Sequence, residues 1–324
     1  MGCDLKQLRE KIEECARYFQ ADIIGFGGAE RFRDEGIRDI LPETKTVIGL
    51  AFRVLRGSYR GVEEGSTYYQ YTTTGVETME ETVMPMALLR VSALLEDAGF
   101  IALPQRRNQQ LLPGEGINPE LMDHAIQRSR PQERTFDFDR AAILCGLGER
   151  GQSGALLTDR FGPFQRVCFV LTDAPLTETP LAVPHLCDGC GECVRACPGH
   201  ALDGDKRDDW RCAVYYRGAA FATNPFMPAD AYAQFADRRE IMRGDAALTP
   251  EKAKAIMAQT YFYPSIRHSY AASICGRACD RACYVHLEEK GALTGKFRTP
   301  FRKRPVWTLP ELDEADAASA EEQA

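Results

Sequence analysis

The sequence predicts an α+β fold, in which a layered N-terminal domain is followed by a smaller cysteine-rich domain. Short apolar runs alternate with helical patterns over the first 180 residues, as is typical of strands and helices packed in layers. Eight of the twelve cysteines lie between residues 187 and 283. We therefore expect an α/β domain at residues 1–180, a second domain at 181–290 and a terminal segment at 291–324.

The N-terminal elements follow from apolar spacing. Residues 4–19 place apolar side chains at helical intervals, and Asp4 stands at the N-cap position. The apolar runs at 21–27 and 44–52 predict short buried strands.

The next elements are a helix and two more strands. Residues 82–99 are strongly apolar and predict a helix that ends at Gly99. Apolar runs at 100–107 and 165–173 predict strands.

The segment from about residue 214 to 272 is predicted to be a helical insertion in the second domain. One helix is expected at 229–244, and a second begins with Thr249 as its cap and Pro250 at its first position. This insertion would pack around nearby ligands, cover a substrate pocket or form a docking surface. The apolar stripe of the first helix favours packing, and it consists of Tyr232, Phe235, Ile241 and Met242.

Composition excludes some function classes. The net charge is −7, and the last fourteen residues alone hold six acidic and no basic residues. The remainder is nearly neutral, so there is no global charge argument for nucleic acid. The acidic tail is expected to be disordered. No apolar run is long enough for a membrane span and no export signal is visible, which predicts a cytoplasmic protein.

Twelve cysteines in a reducing compartment favour metal ligation over disulfides for the clustered ones. The four isolated cysteines have apolar sequence neighbours, and free cysteine is readily buried. We expect these four to be core residues, and they are Cys3, Cys15, Cys145 and Cys168.

The most specific signal is CDGCGECVRACP at residues 187–198, with cysteines spaced by two, two and three residues and followed by Pro198. This spacing is typical of a [4Fe–4S] ferredoxin loop, in which the fourth cysteine ligates a second cluster. A structural zinc site normally has two CxxC pairs separated by a longer gap, so zinc is the weaker alternative.

Four downstream cysteines complete a count of eight, which is enough for two [4Fe–4S] clusters. Three of them recur every four residues, so they would also fit one buried helical face. The predicted ligands are Cys187, Cys190, Cys193 and Cys283 for the first cluster and Cys197, Cys212, Cys275 and Cys279 for the second.

The run GLGERG at 146–151 also matches the GxGxxG dinucleotide pattern. A nucleotide-binding turn must open a helix, but further glycines and a proline follow too soon. We therefore expect no NAD(P) site here.

The order of cysteines resembles that of epoxyqueuosine reductases and corrinoid-dependent reductive dehalogenases, over roughly residues 5–290. Residues 141–176 are similar to the segment that precedes the cysteine loop in that family. The resemblance implies a nitroreductase-like N-terminal domain, a ferredoxin-like domain with two clusters, and cobalamin as an additional cofactor. It implies a corrinoid pocket that includes Gly146, Gly148, Gly151, Ser153, Gly154, Phe161 and Gly162.

The resemblance also makes Tyr68, Tyr69 and Tyr71 candidate proton donors, because a phenol is a plausible acid beside a reduced metal. The alternative is an aromatic patch that packs on the core or lies on the surface.

The chain departs from the family pattern at several positions. Asp137 and Asp139 lie closer to GLG than the family's catalytic aspartate does, and Gln152 replaces a basic residue. The residues after Cys283 are too few for the helical repeats of the tRNA-acting enzymes. The basic run at 296–304 is expected to be a solvated face, so tRNA is not expected as a partner.

The sequence therefore predicts an iron–sulfur oxidoreductase that passes electrons to a small organic substrate, with cobalamin as a further option. Its expected partner is an electron donor such as a ferredoxin or flavodoxin. The alternative is a non-catalytic dicluster electron carrier that serves a partner oxidoreductase, because a fold alone does not determine function.

Overall fold

The protein is described here by a computed structural model, in which helices and strands alternate along the chain. The described residues are 4–68, 70–106, 136–204, 206–259 and 273–310. The helices are α1 (Leu5–Tyr18), α2 (Ile37–Ile40), α3 (Arg56–Glu63), α4 (Met84–Asp97), α5 (Phe138–Leu144), α6 (Glu192–Arg195), α7 (Asp209–Tyr216), α8 (Arg238–Arg243), α9 (Pro250–Met257) and α10 (Ala278–Glu289). The strands are β1 (Ile23–Gly28), β2 (Thr46–Arg53), β3 (Ala102–Gln105), β4 (Glu149–Arg150), β5 (Leu156–Leu157), β6 (Gln165–Thr172), β7 (Leu202–Asp203) and β8 (Lys206–Arg207).

The chain divides into two compact units, and neither is continuous in sequence. Cys3, Tyr69 and the acidic tail lie outside the described residues. The predicted boundary at residue 180 stays a prediction, and no sequence pattern indicated that 55–77 would join the C-terminal part. Unit 1 comprises residues 1–54, 78–151 and 155–188, and unit 2 comprises 55–77, 152–154 and 189–324.

Unit 1 is built around a four-stranded antiparallel sheet with the order β1-β2-β6-β3. The central pair is in register from Thr46 opposite Thr172 to Arg53 opposite Gln165. The predicted strands are therefore confirmed, and their antiparallel pairing makes the fold α+β. The nitroreductase-like detail stays a prediction.

Alternating residues of β2 enter two separate cores, as the two-residue period of a strand requires. Ile48 and Leu50 pack beneath α1 and α4, whereas Val47 packs with α5 on the other face. The predicted first helix is confirmed, and Asp4 caps it by accepting hydrogen bonds from two backbone N–H groups at 3.0 and 3.2 Å. Unit 1 is thus a helix–sheet–helix sandwich.

The three isolated cysteines within the described residues are core residues, as predicted. Cys168 is fully buried in the core beneath α1 and α4, and Cys145 is fully buried in the core beside α5. Cys15 is half-buried and packs against the first of these cores.

Unit 2 contains the short helices of the cysteine-rich region, with α6 packed against α10 and α7 packed against α9. The prediction for α9 is confirmed, because Thr249 caps it by accepting from the N–H of Lys252 at 3.2 Å.

The helix predicted at 229–244 is wrong in its first half, where the chain forms turns and becomes helical only at Arg238. Tyr232 has φ of +57°, which cannot continue a right-handed helix. The Arg238 guanidinium donates to the carbonyls of Ala229 and Ala231, both at 2.6 Å, and so stabilises the turns. Hydrogen bonds from a guanidinium seven and nine residues away therefore override the apolar periodicity.

Candidate metal centre

A buried carboxylate fixes the chain just before the cysteine motif. Glu149 is 3% exposed and accepts hydrogen bonds from the backbone N–H groups of His185 at 2.6 Å, Leu186 at 3.0 Å and Cys187 at 2.8 Å. Three consecutive amides on one carboxylate form strong charge-assisted bonds. Glu149 lies inside GLGERG, and sequence reasoning missed it. An acidic residue among apolar and glycine neighbours was the available signal.

Two glycines give the motif its tight turns. Gly189 and Gly191 have φ of 74° and 76°, a conformation that residues with a Cβ rarely adopt. Helix α6 begins directly after Gly191 and carries Cys193, which is buried. The helix then ends before Cys197, as the following proline requires.

The first predicted ligand set is divided between the two units. Cys187 belongs to unit 1 and is exposed, whereas Cys190, Cys193 and Cys283 belong to unit 2. Within unit 2, the helix that carries Cys193 packs against the helix that carries Cys283.

The second predicted ligand set lies entirely within unit 2, where its four cysteines line one cavity of about 60 Å³. The four sulfurs come from three separate stretches of the chain. Cys197 follows α6, Cys212 lies on α7, Cys275 precedes α10 and Cys279 lies in its first turn. Residues separated by up to 82 positions in sequence are therefore brought to a single site.

The spacing of these sulfurs distinguishes a single ion from a larger group. A zinc ion holds thiolates at about 2.3 Å, which places the sulfurs about 3.8 Å from one another. In the described part of the chain, no three cysteine sulfurs lie within 4.8 Å of one another. The cavity between them also exceeds the roughly 10–15 Å³ that one water requires. The residues fit a group larger than one metal ion.

Positive charge and hydrogen-bond donors surround the cavity. The Cys197 sulfur accepts from the N–H of Ala201 at 3.3 Å. Arg207 and Arg277 line the cavity, and Arg277 donates from Nε to Asp280 at 2.7 Å. Asp280 is fully buried, and its charge is the main cause that raises the pKa of Arg277 well above its usual value.

The thiols resist ionisation without a cation. Burial raises the pKa of the Cys212 thiol to about 11, and the neighbouring Cys275 adds to this rise. The guanidinium groups of Arg207 and Arg277 act in the opposite direction. Burial also raises the pKa of Cys279 well above its usual value. A bound metal would supply the positive charge that thiolates require here.

Part of the insertion packs around this cavity. Arg211 on α7 donates to the carbonyls of Gly199 at 3.1 Å, Gly244 at 2.6 Å and Ala246 at 2.7 Å. It therefore ties the loop after Cys197 to the end of α8. This contact agrees with the packing role expected for the insertion.

The structure places the two described candidate tyrosines in the core of unit 2. Tyr71 is fully buried and its ring centroid lies 4.8 Å from that of Tyr59. Tyr68 is 6% exposed, and its hydroxyl lies 3.5 Å from the carbonyl oxygen of Thr223. Burial raises the pKa of Tyr68 to about 12. These contacts match the packing alternative, and the proton-donor role stays a prediction.

Three of the five glycines of the predicted corrinoid pocket have packing partners within unit 1. A Cβ added at Gly148 would lie 2.2 Å from the Leu157 carbonyl oxygen, and one at Gly146 would lie 2.5 Å from that of Pro180. Gly151 packs against the Leu157 side chain. Close backbone packing therefore accounts for these glycines without a bound ligand.

The rest of that predicted pocket lies in two places. Phe161 and Gly162 belong to a turn in unit 1, where Gly162 pairs with Thr158. Ser153 and Gly154 belong to unit 2, and Ser153 lines the cysteine cavity. The GLGERG run enters strand β4 and not the helix that a nucleotide-binding turn opens. Asp137 caps α5 through the N–H of Arg140.

The basic run at 296–304 is not simply a solvated face, because two of its arginines bind carboxylates on or next to α3. Arg302 donates to Glu63, and Arg304 donates to Glu64 at 3.0 Å. Phe301 is fully buried. Glu63 also accepts from Arg281, and sequence reasoning missed this buried network because its members are far apart in the chain.

A family model described as a 4Fe-4S binding domain matches residues 183–203. The tetrachloroethene reductive dehalogenase of Desulfitobacterium hafniense is 40% identical over 68 residues, which is 20% of this chain and 12% of the relative. That of Sulfurospirillum multivorans is 38% identical over 64 residues, or 19% and 13%. The matched segment thus spans about an eighth of these relatives.

Similar solved structures include an epoxyqueuosine reductase with a tRNA stem loop, at 14% identity and a TM-score of 0.47, covering 89% of this chain and 84% of that one. A reductive dehalogenase has 17% identity and a TM-score of 0.44, covering 77% and 35%. The predicted resemblance to reductive dehalogenases is confirmed in sequence, as is the [4Fe–4S] motif. Within the described residues, no helix is long and apolar enough to cross a bilayer.

Proposed function

We propose that the protein is an iron–sulfur oxidoreductase with two [4Fe–4S] clusters. The first would be held by Cys187, Cys190, Cys193 and Cys283, and the second by Cys197, Cys212, Cys275 and Cys279. The observation that carries the count of two is the cavity in unit 2 that the second set of cysteines lines. Its sulfurs are too far apart for one zinc ion and they have arginines beside them.

When bound, such clusters accept and give up single electrons at potentials set by nearby charge and hydrogen bonds. The chain supplies these influences at the second site. Arg207 and Arg277 place positive charge beside the sulfurs, which favours the more negatively charged reduced state. The N–H of Ala201 stabilises negative charge on the Cys197 sulfur.

The acceptor of the electrons is proposed to be a small organic substrate, and the donor a ferredoxin or flavodoxin. We assign no step to cobalamin, since packing accounts for three of the five glycines of its predicted pocket. tRNA is bound by a similar solved protein, an epoxyqueuosine reductase. It is not proposed for this chain, because the basic run is not an open face: Arg304 is paired with Glu64 and Phe301 is fully buried.

A second candidate is an electron carrier that docks with a partner oxidoreductase. It is favoured by an apolar surface close to the motif, where Leu181 and Val183 are 50% and 79% exposed, and by the exposure of Cys187. A ligand cysteine near the surface would suit electron exchange with another protein.

Metal analysis tests the two candidates. The protein would be purified without oxygen from cells supplied with cobalamin, and its iron and cobalt would be measured. About eight irons per chain are expected for two clusters. Four irons would refute the count of two. Stoichiometric cobalt would support the hypothesis of a corrinoid enzyme. Eight irons without cobalt, and without turnover of any organic acceptor, would favour the electron carrier.

The ligand sets are tested by Cys212→Ala, with Cys15→Ser as the matched control. Cys212 lines the cavity, whereas Cys15 is a half-buried cysteine packed against the core of unit 1. The Cys212 variant should lose about half of its iron and the electron paramagnetic resonance signal of one reduced cluster. The Cys15 variant should keep both signals. Full iron content in Cys212→Ala would contradict the second set.

A further inference from the structure

A second and larger cavity of unit 2, of about 600 Å³, lies on another side of Cys197. Its volume falls within the roughly 300–1,000 Å³ typical of small-molecule sites. Cys197, Pro198 and Ala278 belong to its lining, so the cavity adjoins the residues that carry the second ligand set. None of the residues predicted from sequence for substrate or corrinoid binding lines it.

The charge of the lining is strongly one-sided. Four arginines and a single carboxylate, Glu63, are found among its described residues. Apolar side chains form most of the remaining wall, with Phe221, Met242 and Val306 as the largest, and the other polar residues are His200, Thr223 and Thr308. An apolar wall with a few convergent charged groups is the usual composition of a site for a small organic ligand. The arginines are Arg195, Arg243, Arg281 and Arg302.

Two of the arginines differ in what they can offer a ligand. Arg281 is buried and its three hydrogen bonds go to Glu63 and to the carbonyls of Gly276 and Cys275. Arg302 is half-buried and, among the described residues, donates only from Nε, to Glu63. Both terminal nitrogens of Arg302 therefore remain for a planar anion, which a guanidinium binds through two parallel bonds.

We propose that this cavity binds an organic anion, an apolar body that carries a carboxylate, with Arg302 as its anchor. The binding itself depends only on the cavity, and its role as the substrate site rests on the proposed function. Arg281 lines this cavity and also donates a hydrogen bond to the carbonyl of Cys275. A bound anion would therefore lie next to the second ligand set. The substrate class is thus an anionic organic molecule and not a neutral one.

The test is calorimetric titration of the full-length protein with 1-naphthoate, using the neutral 1-naphthamide as the matched ligand. Naphthoate should bind at least about tenfold more tightly, because a hydrogen bond to a charged group contributes that much. Arg302→Gln should abolish the difference between the two ligands, and Arg302→Lys should restore part of it. Lys303→Gln removes an exposed neighbouring charge that does not line the cavity, and it should change nothing.

Equal affinity for the two ligands, or unchanged naphthoate binding in Arg302→Gln, would overturn the proposal. Thermal unfolding of each variant distinguishes a loss of binding from a loss of folding. If Arg302→Gln does not fold, Arg302→Lys is used for the test, because it keeps a positive charge beside Glu63. Iron is measured in the same samples. Selective naphthoate binding with only four irons would refute the two-cluster proposal and keep the anion site. Eight irons without naphthoate binding would refute the anion site and keep the two-cluster proposal.

Discussion

Replacing Glu63 by glutamine should destabilise unit 2 more than any other single change of charge near the basic run. The Glu63 side chain is 3% exposed and that of Arg281 is 6% exposed. Glutamine keeps the size of the side chain and one acceptor oxygen, but it removes the charge that compensates the buried guanidinium. Breaking a buried pair by removing one partner costs about 3–5 kcal/mol.

Urea unfolding measures this cost. With an m-value of about 2 kcal/mol/M, the midpoint should fall by roughly 1.5–2.5 M. Tryptophan fluorescence reports on the correct part of the molecule, because both tryptophans, Trp210 and Trp307, belong to unit 2. The backbone N–H of Trp307 even donates to the carbonyl of Glu63, at 3.2 Å.

The control is Glu64→Gln, which removes the neighbouring carboxylate. Glu64 pairs with Arg60 at 2.8 Å and with Arg304 at 3.0 Å, in contact with solvent. Exposed pairs of this kind contribute little to stability. If the two variants shift the midpoint equally, burial of the Glu63 network is not the source of its effect.

Three further predictions concern other parts of the chain. Glu149→Gln should lower the iron content by loosening the backbone at Cys187, and full iron retention would contradict this positioning role. Tyr68→Phe should reduce the loss of stability that the protein shows above pH 10. The Tyr68 phenol, with its pKa raised to about 12, stabilises the fold below pH 10, and this contribution is lost as the pH rises towards 12. If the melting temperature, monitored by fluorescence, falls with pH equally steeply in the variant and the unsubstituted protein, this role of Tyr68 is wrong. Gly25→Ala should lower the calorimetric melting temperature, because its Cβ would lie 2.2 Å from the Cys145 carbonyl oxygen; an unchanged value would require that backbone to move freely.

Sequence patterns predicted the elements that depend on local periodicity. Helix α1 with its Asp4 cap and the capped helix α9 follow from contacts within a few residues. Each sheet strand was predicted from its own apolar run, although its pairing partners are distant in sequence. The cysteine motif was equally readable, because its spacing alone brings thiols and glycine turns together. A family model for 4Fe-4S binding covers the same residues.

The features that sequence did not predict depend on distant partners. Glu149 contacts backbone 36 to 38 residues away, and Glu63 contacts an arginine 218 residues away. Neither interaction leaves a periodic trace. The turns around Tyr232 were missed although their partner is near in sequence, because hydrogen bonds from the Arg238 guanidinium to their carbonyls also leave no periodic pattern.

The long separation between Glu63 and Arg281 has a consequence for biosynthesis. A ribosome that adds about 5–20 residues per second needs roughly 10–40 s to proceed from one to the other. During that interval the Glu63 carboxylate lacks its partner Arg281 from helix α10. Residues 55–77 therefore cannot pack with the rest of unit 2, although much of the sheet of unit 1 has already been synthesised. A nascent chain therefore cannot complete its cysteine-rich unit until Arg281 and Cys283 have been synthesised, and metal delivery becomes useful only from that point.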